Sequence, residues 1–216
     1  MNEMENARLL LDYSRLFFKD SFKTGNKIYS MSYGAAEPSR KLRRKNHSEI
    51  SSDLIRDFRK TYNRFSVHDF LGSLPREARA GNCGEYVGVA LKHGLENKIQ
   101  NIWLVLHDKH EFLVLAADPG LNAMLTLSEF CQYENYNYWV CDPWFNIHCK
   151  MHLYGVMVNL KSTQWEYEGK EIQIDANYNE PATQWCQRLS IGTMVTFRMT
   201  DSSGQPTADC IDFSGY

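Results

Sequence analysis

The apolar residues of this chain change period between residues 83 and 117, and that change sets the fold class. Cys83, Val87, Ala90, Leu91 and Leu95 recur at the spacing of one helical face. Past Asn97 the pattern becomes Ile102-Trp103-Leu104-Val105-Leu106, a continuous apolar run that suits a strand covered on both sides. His107-Asp108-Lys109-His110 makes a tight turn into a second strand, Glu111 to Ala117, which Asp118-Pro119-Gly120 stops. Tyr138 to Cys141 reads as a third strand, with more near Met157–Leu160, Ile172–Ile174 and Met194–Met199. A helix followed by hairpin-linked strands predicts an α+β fold, with the helix from Cys83 packed on an antiparallel sheet.

Ahead of this region, Leu9, Leu10, Tyr13, Leu16 and Phe17 predict a helix over residues 3–22, ended by Thr24-Gly25-Asn26. Residues 24–47 read as irregular. They hold the basic run Arg40-Lys41-Leu42-Arg43-Arg44-Lys45, which is either a surface for an acidic partner or phosphate, or a solvated loop. The loop is the favoured reading, because few aromatics are interleaved and the chain is not basic. A second helix is expected from Ser48 to Phe65, with Ile50, Leu54, Phe58, Tyr62 and Phe65 on its apolar face and Asn46 or Ser48 as cap. A short third helix, Val67 to Leu74, closes at Pro75. The expected organisation is an N-terminal helical cap, 1–75, on a catalytic core, 76–216, in one compact unit.

The 24 basic and 26 acidic side chains leave a net charge of -2, which gives no general attraction to nucleic acid or anionic membrane. No apolar stretch approaches a membrane span, and no cleavable signal pattern opens the chain, so a soluble protein is expected. The six cysteines, 83, 131, 141, 149, 186 and 210, form no CxxC pair, which suits a reducing compartment.

One stretch carries chemistry: Arg79-Ala80-Gly81-Asn82-Cys83-Gly84-Glu85-Tyr86. A cysteine at a helix N-terminus meets free backbone N–H groups and a partial positive charge, and both favour its thiolate. Gly81 and Gly84 leave the backbone beside the sulfur open to a substrate. The Cys83 N–H is a natural oxyanion donor, and the Asn82 side chain is a candidate second one. His110 is the candidate base, with His107 as its rival across the turn. Asp142 is the candidate orienting acid, because it ends a strand that can lie beside the one His110 opens. Asp118 lies about 26 Å along the strand from His110, too far for contact. Asp108 is too local to reach the imidazole. Trp139, Trp144 and Phe145 can line a cleft or pack in the core; Trp144 is the candidate substrate-binding aromatic. Cys141, His148, Cys149 and His152 lie close in sequence, but only Cys149 and His152 approach a zinc-ligand spacing. No metal or other cofactor is expected.

Together, Arg-x-Gly-x-Cys-Gly-Glu, a histidine opening a strand, and Trp-x-Cys-Asp-Pro resemble the transglutaminase-like superfamily over residues 79–146. Peptide:N-glycanases and papain-related bacterial effector enzymes share the pattern. The resemblance implies a papain/transglutaminase-like core with Cys83 as nucleophile, His110 as base and Asp142 as orienting acid. The chain departs from the glycanases in three ways: it lacks paired CxxC zinc ligands, has Tyr86 where they have Trp, and has a longer gap from His110 to Asp142. These departures argue against glycan removal. The expected activity is thiol acyl transfer on protein amides, deamidating or cross-linking glutamine side chains. A papain-like protease and an inactive binding module are the alternatives. The expected partner is a protein substrate, in the effector analogy a host protein reached by secretion into the host cytoplasm. Neither nucleic acid nor membrane insertion is expected.

Overall fold

A computed structural model of the chain describes residues 2–22, 24–62, 66–175 and 178–214. Helix α1 (Glu3–Phe17) starts at Asn2, whose side chain accepts from Glu5 N at 3.0 Å while Glu5 accepts from Asn2 N at 3.1 Å. This reciprocal cap satisfies two otherwise orphaned N–H groups. Asn6, Ala7, Leu10, Leu11 and Ser14 form its buried face. The helix stops at Phe17 rather than 22, and Asp20 takes a left-handed backbone at φ 64°. Strand β1 (Lys27–Tyr29) follows.

Helix α2 (Pro38–Thr61) corrects the expectation of a loop through residue 47. Proline suits the first helical turn, where its missing N–H has no acceptor to lose. The basic run is therefore the first two turns of a long helix. Its buried residues are Lys41, Ser48, Ser51, Ile55 and Phe58, whereas Ile50 and Tyr62 are exposed. The first half of the buried face is lysine and serine and carries no apolar periodicity, which hides the helix start; Phe58 lies inward as expected, but Ser51 and Ile55 take the inward places expected of Ile50 and Leu54. Phe65 lies outside the described residues. Helix α3 (Val67–Ser73) ends one residue before the expected Leu74, ahead of Pro75.

Helix α4 (Cys83–Glu96) leads to strands β2 (Ile102–Leu106) and β3 (Glu111–Leu115). Beyond them come β4 (Met124–Thr126), β5 (Trp139–Asp142), β6 (Ile147–Lys150) and α5 (Tyr154–Tyr167). The chain closes with β7 (Lys170–Gln173), β8 (Asn179–Pro181), α6 (Ala182–Ile191), β9 (Thr193–Arg198) and α7 (Ala208–Ser214). Residues 157–160, expected as a strand, lie inside α5. Tyr154, Val158, Ser162 and Trp165 turn inward at helical spacing, while Met157 and Leu160 face solvent. A short apolar run cannot by itself tell the two conformations apart.

The fold is α+β. Its main sheet is antiparallel throughout, ordered β4-β9-β2-β3-β5-β6, and a second sheet is ordered β1-β7-β8. Alternate residues of the central strands feed two cores. Leu104, Leu113, Leu115 and Cys141 pack with α1 and α4 through Leu10, Val87 and Leu91. Val105, Phe112, Val114 and Val140 pack on the opposite face with Tyr154, Trp165 and Trp185 of α5 and α6. Both faces are thus covered, which explains the unbroken apolar run of β2. Leu10 is fully buried at the centre of the first core. Leu10→Ala is expected to cost about 2–5 kcal/mol, read from the urea-unfolding midpoint, because it opens a cavity between α1, α4 and the sheet. A shift below about 0.5 kcal/mol would mean that α1 only rests on the core.

Candidate active site

The N-terminus of α4 is held from three sides. Asn82, in extended conformation, precedes the helix, and its backbone N–H donates to Glu85 Oε2 at 2.8 Å. Glu85 is nearly buried, and Arg59 of α2 grips it with Nε to Oε1 at 2.7 Å and Nη2 to Oε2 at 2.9 Å. Such a bidentate pair is strong as well as directional. The Asn82 Oδ1 accepts from Thr24 Oγ1 at 2.8 Å and from the N–H groups of Gly25 and Asn26. That commits the side-chain oxygen to the loop after α1 and leaves only the amide nitrogen to donate elsewhere. Arg79 donates to Phe17 O at 3.2 Å and lies 4.3 Å over the Phe17 ring, which ties the approach to Cys83 onto the end of α1.

The two glycines beside the cysteine have separate reasons. A Cβ at Gly81 would come within 2.6 Å of Glu85 Cβ and 3.1 Å of the Phe18 ring. A Cβ at Gly84 would come within 2.5 Å of Glu111 Oε1, which lies against the helix start. Cys83, half-buried between them, packs against the core of the α5/α6 side.

His110 and Asp142 meet because of strand register. Strands β3 and β5 pair with Leu113 opposite Cys141, so Asp142, one step further, emerges on the face that carries Phe112 and His110. A two-residue turn, Asp108-Lys109, joins β2 to β3 through hydrogen bonds between His107 and His110 in both directions. His110 Nε2 lies 2.7 Å from Asp142 Oδ2, and both side chains are buried. Tyr154 donates to the same oxygen at 2.7 Å, and the Phe145 N–H donates to Oδ1 at 3.0 Å. Asp142 therefore performs two tasks: it shapes the turn after Pro143 and it binds the imidazole. The other ring nitrogen, His110 Nδ1, is buried and has no hydrogen-bond partner among the described residues. Burial works against the imidazolium, but Asp142 and then Cys83 overcome it and push His110 up to about 10. Burial likewise opposes the Asp142 carboxylate, yet His110, Phe145 N–H and Tyr154 hold it below its ordinary value.

The rival residues lie elsewhere. His107 Nδ1 is 2.8 Å from Asp108, and its Nε2 sits where a Cβ on Gly192 would be, in a recess with Arg188 and Ile191. Asp118 pairs with Arg198 at 3.3 Å. Trp144 is buried behind the imidazole, ring centroids 5.2 Å apart, and packs on Trp165 and Trp185. Cys141 and Cys149 fall in opposite cores, and His148 stacks on Trp139 and bonds Met4 O. Among the described residues no group of three His, Cys, Asp or Glu side chains could hold a metal ion. No helix described is long and apolar enough to cross a membrane.

A cleft of about 300 Å³ opens at the first turn of α4, lined by Phe58, Arg59, Tyr62, Val67, Gly84, Glu85 and Glu111. Arg59, Glu85 and Tyr154 were not singled out in the sequence. For Glu85 a signal existed, since Asn-x-x-Glu before an apolar run marks a capped helix. Arg59 and Tyr154 reach the site through tertiary packing alone and leave no local signal.

No family model, curated protein or solved structure matches this chain.

Two outcomes follow from the buried pair. Tyr154→Phe removes a donor from a carboxylate with no access to water, and should lower stability by about 1–3 kcal/mol in urea unfolding. The pH dependence has a defined sign. A His110 pKa raised to about 10 means that the native state holds that proton more tightly than the unfolded chain, whose histidine titrates near ~6.5. Its stabilisation is complete below pH ~6.5 and disappears as pH rises through about 10. Unfolding free energy should therefore fall between pH 7 and 10 more steeply in the wild type than in His110→Gln; parallel curves would refute the assignment.

Proposed function

We propose that this chain is a thiol acyl-transfer enzyme with a papain/transglutaminase-like core, acting on the carboxamide of a glutamine side chain in a protein. The observation that carries the reading is the polarity of one imidazole. Asp142 takes one nitrogen, burial keeps water off the ring, and the remaining nitrogen is left for Cys83 at the start of α4. An imidazolium held this way stabilises a thiolate, and the free N–H groups of the helix start add to the effect.

In the proposed reaction the Cys83 thiolate attacks the carboxamide carbon and forms a C–S bond. The carbonyl oxygen becomes an oxyanion within reach of the Cys83 N–H, which as the first helical residue has no intrahelical acceptor. The His110 imidazolium gives its proton to the departing nitrogen, the C–N bond breaks, and ammonia leaves from a thioester. Neutral His110 then takes a proton from water, or from an amine, as it attacks the thioester. The C–S bond breaks, the thiolate returns, and the product is an acid or a cross-linked amide. Asp142 keeps the ring oriented and stabilises its charged form in both halves. The cleft at the first turn of α4, about 300 Å³, is at the small end for a ligand site. It suits a single side chain better than a length of polypeptide, which favours glutamine over a peptide bond.

The thiol can be tested without knowing the substrate. Among the six cysteines, Cys141, Cys149, Cys186 and Cys210 are buried. Burial raises all four thiols, Cys149 and Cys186 to about 12, and the Asp142 charge adds to the rise at Cys141, Cys149 and Cys186. Cys131 is exposed and serves as the internal reference. At neutral pH, iodoacetamide should alkylate Cys83 at least about tenfold faster than Cys131, and His110→Gln should bring the two rates together. Equal rates in the wild type would remove the nucleophile from the reading. Mass spectrometry of a target protein then separates the reactions: a gain of about 1 Da without chain cleavage marks glutamine hydrolysis.

A further inference from the structure

A second cleft, of about 550 Å³, is lined in part by Trp144, whose ring also neighbours the imidazole. It is walled by residues from α1, β1, α2, α5 and β7. Seven lysine and arginine side chains line it, against one carboxylate, Asp20. The chain as a whole is slightly acidic, so this is a concentration of charge and not the average surface. The cations come from distant parts of the sequence, Arg15, Lys27, Arg43, Arg44, Lys161 and Lys170 among them. Concave walls focus such a field and raise the local concentration of anions.

The partners of these groups are informative. Arg40 and Lys170 share Glu168, at 3.8 and 3.1 Å. No carboxylate among the described residues lies within ion-pair distance of Lys27, Arg43, Arg44 or Lys161. Lys27 Nζ donates to the Trp144 carbonyl at 2.7 Å and faces the rings of Trp144 and Trp165 at 4.1 and 4.8 Å. Arg44 donates to the carbonyls of Lys27 and Phe22, and its remaining nitrogen, Nη2, is buried without a partner. Buried cationic nitrogens without an anion are unfavourable unless a ligand supplies one.

We propose that this cleft is a binding site for a compact anion carrying clustered phosphate groups. Several converging lysine and arginine side chains match two or more phosphates better than one carboxylate, since each guanidinium can take two oxygens of one group. A volume of about 550 Å³ suits a small molecule or a lipid headgroup. Burial pushes the Lys27 ammonium well below the ordinary lysine value, and Arg15, Lys170 and Arg44 add to that push. A polyanion in the cleft offsets this repulsion. The site is independent of the thiol chemistry, although Trp144 and Thr24 belong to both neighbourhoods: Thr24 binds Asn82 and also meets the Trp144 indole N–H.

The test is titration calorimetry with inorganic tripolyphosphate at about 150 mM salt, where diffuse surface attraction is screened. One-to-one binding is expected. The double variant Arg43→Glu/Lys161→Glu should weaken it at least about tenfold, since it reverses two of the cleft's cations. The same charge change outside the cleft, Arg56→Glu/Lys60→Glu, should leave it unaltered. A parallel flotation assay uses phosphatidylcholine vesicles with either a phosphoinositide bisphosphate or phosphatidylserine. Capture by the phosphoinositide vesicles alone, without tripolyphosphate binding, assigns the phosphates to a lipid headgroup and sustains the site. No binding in either assay, or equal weakening in both double variants, overturns it.

Discussion

A carboxylate with no exposed surface governs the architecture around the site. Moving an ionised group such as Asp142 out of water costs several kcal/mol unless its lone pairs are all engaged. Three donors engage them, and each comes from a different element: the imidazole that opens β3, the phenol of Tyr154 in α5, and the Phe145 amide of the turn between β5 and β6. The sheet, the helix across it and the hairpin must therefore form together. The charge on His110 is a consequence of this arrangement, because a buried anion at 2.7 Å sustains a cation that burial alone would discharge.

The same solution recurs at the start of α4. Glu85 is nearly buried, and it is satisfied by the backbone amide of Asn82, which caps its helix, and by Arg59 from α2. Cys83 sits between Asn82 and Glu85 in the chain. Its backbone is thus fixed by a capped helix end on one side and by the 24–26 loop gripping Asn82 on the other. A side chain on so constrained a backbone needs little reorganisation to meet a binding partner.

Much of this was legible in the sequence where the physics is local. The helical spacing from Cys83, the apolar run of β2 and the short turn before His110 specify the α4-β2-β3 unit, and the Asp-Pro pair after Cys141 marks the strand end that carries Asp142. What stayed hidden is non-local. The first turns of α2 bury Lys41 and Ser48, residues that propensity assigns to solvent. The basic run looked like a solvated loop because its charge has meaning only beside Arg15, Lys27 and Lys161, which other elements deliver. Tyr154 reaches Asp142 from a helix whose apolar spacing was confounded with that of a strand.

The strand order has a consequence for how the chain can be assembled. β9, the last strand of the sequence, lies between β2 and β4 and pairs with both. While the polypeptide emerges from a ribosome, β2 keeps one side of its ladder unpaired until residue 198 is out, and β4 has no neighbour at all. The α4-β2-β3 unit, although encoded earlier, waits on β9 for closure. Such long-range pairing slows folding and leaves a hydrogen-bonding edge available to other chains in the interval. Until β9 pairs, the margin of β2 is the edge through which another chain could add to this sheet.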